Sequence, residues 1–141
     1  MILRFSKYLN WINLWGPVLT CMAGIFYFSS LPGEQAQAVL IGIVGTTASA
    51  PIEALPHIVV DWYKVGHVIG YALLGAATAR ALAREGRNRF WPALLICAAY
   101  AVTDEFHQHF VPNRHAYPLD VLIDAAASAG AIYLVSFFHK K

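Results

Sequence analysis

Asp61, Lys64, Asp104, Glu105, Arg114, Asp120 and Asp124 all lie at or near the ends of apolar segments, in a chain with only 10 basic and 8 acidic residues among 141. A charge at the centre of a spanning helix costs about 2.5–3.5 kcal/mol on insertion scales, so this concentration calls for a role. Arginine can fork onto a phosphate or carboxylate, with lysine as a point charge beside it. The carboxylates could hold amines, hydroxyls or a divalent ion. His67 and Glu105 could serve as a base and its orienter, with a carboxylate-bound metal activating water.

Helical spacing groups these residues. Lys64, His67 and Tyr71 are three and four residues apart and share a face with Leu74. Gly66 and Gly70 form a GxxxG pair and Gly75 follows, which favours close helix approach. Asp104 and Gln108 stand one turn apart. Adjacent Asp104 and Glu105 point about 100° apart, so one is expected to face the pocket and the other the water boundary. His107, His109 and His115 flank them, but no HExxH or other zinc signature is present, so His109 and His115 read as interfacial histidines. Asp120 and Asp124 repel across one turn and need a cation. Lys64 and Arg114 are the internal candidates, and a metal held by Glu105, Asp120 and Asp124 is the alternative. The bland reading of the set is an ion-pair network that fixes helix geometry. Buried pairs are weak evidence of net stabilisation, and in lipid such groups mark sites and pathways.

The elements that must position these residues are long apolar helices. The composition is 58% hydrophobic and 13% charged, with mean hydropathy +0.52 and net charge +2. That is too apolar for an ordinary soluble domain. No basic run and no Gly-rich loop points to nucleic acid or nucleotide binding. Four segments approach the roughly 20 residues that span a bilayer: about 11–30, 62–82, 90–110 and 118–138. The apolar run from Trp11 to Phe28 exceeds a signal-peptide core, so the first segment reads as an uncleaved helix. Arg4, Lys7, Arg80, Arg84, Arg87, Arg89, Lys140 and Lys141 all fall on one side of such a topology, which predicts cytoplasmic termini. Lys64 and Arg114 fall on the other side, among the carboxylates. The stretch 31–58 is then a long external loop, containing an interfacial or re-entrant segment around 39–44. Cys21 and Cys97 read as buried small hydrophobes rather than a disulfide. Trp11, Trp15, Trp62, Tyr63 and Trp91 read as interface anchors. The expected architecture is all-α, a single four-helix membrane bundle over 1–141.

With these residues in order, the sequence resembles the VanZ-like family of small membrane proteins, named for a teicoplanin-resistance determinant. The resemblance rests on Lys64-x-x-His67-x-x-x-Tyr71-x-x-Leu74-Gly75, on Asp104-Glu105-x-His107-Gln108-x-Phe110-x-Pro112-x-Arg114, and on Asp120. It covers about 61–130. The family pattern implies Asn and Gly where this chain has Asp124 and Ala127, and the extra carboxylate makes the site more cation-attracting. The resemblance implies a role in resistance to a lipoglycopeptide and residence in the bacterial cytoplasmic membrane.

Three functions compete. In the first, a site facing the periplasm or exterior binds an amphiphile: a lipoglycopeptide such as teicoplanin, a phospholipid, or a lipid-linked cell-wall precursor. Its contacts are Lys64, His67, Tyr71, Asp104, Glu105, Gln108, Arg114, Asp120 and Asp124. In the second, a membrane-embedded, metal-assisted enzyme with His67 and Glu105 modifies such a lipid. No Ser or Cys lies beside a base, which argues against a covalent serine route. The third is a proton-linked transporter using His67, Asp104 and Asp124, which with four helices needs assembly into a homo-oligomer for alternating access.

Overall fold

The computed structural model describes residues 2–32, 35–36, 38–39, 42, 62–83, 90–114 and 116–138, with 2–9 and 62–63 as backbone only. Most of the 31–58 loop, and with it Asp61, His115 and the basic residues at 84–89 and 140–141, lie outside the described residues. The described chain forms four helices and no strand: α1 (Ile2–Ser30), α2 (Trp62–Ala83), α3 (Phe90–Gln108) and α4 (Pro118–Phe138). The last three begin and end within two residues of the apolar runs. α1 starts nine residues earlier than its run, because nothing between Ile2 and Trp11 breaks a helix. Its 29 residues would extend about 43 Å, longer than a hydrocarbon core of about 30 Å.

Among the described residues, three stretches are long and apolar enough to cross a membrane: Asn10–Ser30, Lys64–Ala83 and Pro118–Phe138. α3 carries Thr103, Asp104, Glu105, His107 and Gln108 in its last turns, which lowers its hydropathy. It is nevertheless part of the same bundle, packed on α1, α2 and α4. Large apolar side chains point outward, among them Leu73, Trp91, Leu95, Phe106, Leu122 and Tyr133. An oily exterior around a core of smaller and polar groups suits a lipid solvent, where apolar burial supplies no force between helices and close packing does.

That packing is closest between α2 and α4. A Cβ placed on Gly75 would come within 2.6 Å of the Ser128 carbonyl oxygen and 2.9 Å of its Cα. Only glycine lets the two backbones meet there. Ser128 Oγ donates to the Tyr71 carbonyl at 3.0 Å, which joins the same two helices. On the other face of α2, a Cβ on Gly70 would meet Ile25 of α1 at 3.2 Å. The core runs through Val18, Ile25, Tyr71, Leu74, Cys97, Ala101 and Ile132. Cys21 and Cys97 are both free thiols, as expected. Trp11 and Trp91 are exposed, whereas Trp15 is partly buried and packs against the core.

The helices alternate in direction. Arg80 near the end of α2 donates to the Asn13 carbonyl of α1 at 2.9 Å, fixing one end of the bundle. The end of α1, the start of α2, the end of α3 and the start of α4 meet at the other.

Candidate functional site

The meeting end is built from the outside inward. Lys64, half-exposed, approaches Asp120 Oδ1 at 3.7 Å. One turn deeper on each helix, His67 Nδ1 meets Asp124 Oδ2 at 3.1 Å, and the two side chains are 9% and 1% exposed. The periods of α2 and α4 thus run in register: 64 with 120, 67 with 124, and then Tyr71 with Ser128. Tyr71 is fully buried and its ring stacks over His67, centroids 6.0 Å apart at 20°.

α3 brings its polar residues from the opposite side. Asp104 Oδ2 accepts from Ser29 Oγ of α1 at 3.0 Å and from Gln108 Nε2 at 3.1 Å. Gln108 Nε2 also lies 3.4 Å from Ser29 Oγ and 3.5 Å from His67 Nε2, which makes it the bridge between α1, α2 and α3. Glu105 faces the start of α4, where its Oε2 accepts from the Tyr117 backbone N–H at 3.1 Å. The expectation that one of Asp104 and Glu105 reaches the water boundary is corrected, since both are buried. α3 is covered on two sides at this level, so residues 100° apart meet different neighbours: α1 and α2 for Asp104, the approach to α4 for Glu105.

The cations divide their work. Lys64 serves Asp120 as expected. Arg114 turns toward α1, where its Nε donates to the Leu31 carbonyl at 3.0 Å and its Nη2 to the Phe28 carbonyl at 2.9 Å. Cationic donors suit a helix C-terminus, where carbonyls lack intrahelical partners. A tight turn makes this possible. Gln108 O accepts from Val111 N, Val111 O accepts from Arg114 N, and Asn113 adopts φ 59°, a left-handed conformation that asparagine tolerates. His107 also joins α1, stacked on Phe26 at 4.4 Å and hydrogen-bonded to Ser30 Oγ at 3.1 Å.

Two carboxylate oxygens in this region are buried with no hydrogen-bond partner: Glu105 Oε1 and Asp124 Oδ1. Burying a polar group without a partner costs about 1–3 kcal/mol by mutational measures. His67, Glu105 and Asp124 each offer one atom to a cluster whose members lie within 4.8 Å of one another. Of the expected metal set, Glu105 and Asp124 are brought together, with His67 in the third place. Asp120 is held at the rim by Lys64.

Glu105 also belongs to a second feature. Between α3 and α4 lies a lateral groove of about 460 Å³, walled by Val102, Phe106, His109, Ala116, Tyr117, Pro118 and Val121, with Glu105 as its acidic member. The groove is otherwise mainly apolar. Sequence reasoning did not identify the contributions of Ser29, the Tyr117 N–H or this groove. Ser29 lies in a helix end with no motif, and the other two depend on how the turn between α3 and α4 packs. Ser128 donates its hydroxyl to the Tyr71 carbonyl.

A family model described as VanZ/LLP1 matches residues 14–139, a span that takes in all but the first turns of α1 as well as the motif-bearing helices. No curated protein and no solved structure matches the chain.

Proposed function

The chain belongs to the VanZ/LLP1 family, and from that premise we propose that its polar end receives the head group of an amphiphile whose chain lies between α3 and α4. The observation that carries this reading is the position of Glu105. It lines the lateral groove and also belongs to the buried cluster with His67 and Asp124. A ligand polar at one end and oily at the other matches such a site, since ligand pockets combine apolar walls with a few fixed polar groups. Candidate ligands are a phospholipid, a lipid-linked cell-wall precursor, or a lipoglycopeptide such as teicoplanin. The link to envelope antibiotic resistance follows if capture of such a molecule changes its availability at the membrane surface. The charge distribution supports a bacterial cytoplasmic membrane with the site facing outward, because Lys and Arg concentrate near the opposite ends of the helices.

Lys64 and Asp120 stand at the rim, where they would meet the head group first. Asp104 and Gln108 hold His67 from behind. Arg114 fixes the turn that carries the chain from α3 toward α4, so its part in binding is to shape the wall of the site. Native mass spectrometry of protein released from gentle detergent tests the reading. The wild type is expected to carry an adduct of defined lipid mass, lost in Glu105→Gln and reduced when Val121→Trp fills the groove. An adduct retained in both variants would sink the proposal.

A further inference from the structure

The carboxylates of the cluster share a pattern that ion pairing among the protein's own groups does not explain. Glu105 has one oxygen fixed by the Tyr117 N–H and the other buried without a partner. Asp124 has one oxygen fixed by His67 and the other likewise buried without a partner. Each carboxylate is therefore oriented through one oxygen and open through the other. Glu105 is held as metal-ligating carboxylates are, hydrogen-bonded by an outer-shell N–H while its other oxygen is open; Asp124 is held by its neighbour in the cluster, so its bond to His67 would give way to the ion.

We propose that His67, Glu105 and Asp124 form a binding site for one first-row divalent transition cation. The donor set is one nitrogen and two carboxylate oxygens, contributed by three different helices. Imidazole favours zinc, iron, copper and nickel, while magnesium and calcium prefer all-oxygen cages. Zinc bonds of about 2.0–2.2 Å place tetrahedral ligands about 3.3–3.5 Å apart. The donor atoms, within 4.8 Å of one another, would draw together on binding. Three protein ligands leave a position open, as in catalytic zinc sites.

The charge balance points the same way. Asp104, Glu105, Asp120 and Asp124 are all buried. Lys64 approaches Asp120, and His67 meets Asp124. A divalent cation supplies positive charge at the depth where the carboxylates converge.

The site goes beyond amphiphile capture and stands or falls separately from it. The purified full chain in detergent is stripped with a chelator, loaded with Zn²⁺, desalted and assayed for bound metal by elemental mass spectrometry. About one zinc per chain is expected in the wild type and in His107→Gln, which removes a neighbouring histidine that lies outside the cluster. Asp124→Asn and Glu105→Gln are expected to weaken zinc binding at least about tenfold, as loss of ligating or supporting groups does. Zinc should also raise the unfolding temperature of the wild type and leave that of Asp124→Asn unchanged, a comparison that works with folded protein only. Absence of stoichiometric zinc from the wild type overturns the proposal. So does equal loss in His107→Gln, which would reveal unspecific histidine binding. A lipid adduct that persists in chelator-stripped protein would leave amphiphile capture standing while showing that it does not run through the metal.

Discussion

Along the contact between α2 and α4, the two ends of the bundle solve opposite problems. Toward the middle and the Arg80 end, glycine meets backbone, and the hydroxyls of Ser128 and Thr78 and the thiol of Cys97 each have a partner. Ser128 donates to Tyr71, Thr78 to Leu74 at 2.8 Å, and Cys97 to Thr78 at 3.9 Å. Toward the Lys64 end the same two helices carry His67, Asp120 and Asp124, with carboxylate oxygens left open. One region is packed to completion. The other retains unsatisfied polar atoms at a cost in stability, as sites that await a ligand do. Stability and binding should therefore separate along a single helix pair.

Gly75→Leu is the strongest test of the packed end. The side chain would collide with the α4 backbone, and such overpacking costs about 3 kcal/mol or more, read as a large fall in unfolding temperature in detergent. A folded variant of unchanged midpoint would refute the close approach. Arg114→Ala comes next, at about 1.5–3 kcal/mol for hydrogen bonds from a charged group. Arg114→Lys should recover only part of this, because an ammonium lacks the fork. Ser29→Ala removes one of the two donors to Asp104 and should cost about 1 kcal/mol, checked by the same melt. Glu105→Gln should change stability by less than about 0.5 kcal/mol, because the amide oxygen can still accept from Tyr117, yet it should abolish the lipid adduct. Lys64→Ala closes the series. As half of a partly exposed pair it should shift stability by well under 1 kcal/mol. A polar-end variant that melts like Gly75→Leu would erase the distinction between the two ends.

Much of this was legible in the residues themselves. α2 and α4 were readable almost to the residue because their apolar runs stop at Trp62 and Phe138, beside polar or charged neighbours. The identity of the site residues was also readable, since an ionisable group in an apolar helix stands out. The pairings were not. Arg114 lies only six residues from Asp120 and suggested a carboxylate partner, whereas the turn around Asn113 points it back to α1. Asp104 and Glu105 were expected to diverge between protein and water because helical periodicity describes one helix at a time. How many neighbours cover that helix is a tertiary fact. Ser29 gave no signal at all, because a serine at a helix end is usually only a cap.

The Arg114 contact also sets an order of events. The carbonyls of Phe28 and Leu31 are joined by a side chain 86 and 83 residues further along. The chain is synthesised from its N-terminus, so α1, α2 and all of α3 are made before the donor for those carbonyls exists. A nascent chain stalled ahead of Arg114 has its first helix but not the clasp that holds that helix's end against α3. Quality control that senses an unclasped α1 would therefore monitor whether the third helix has arrived.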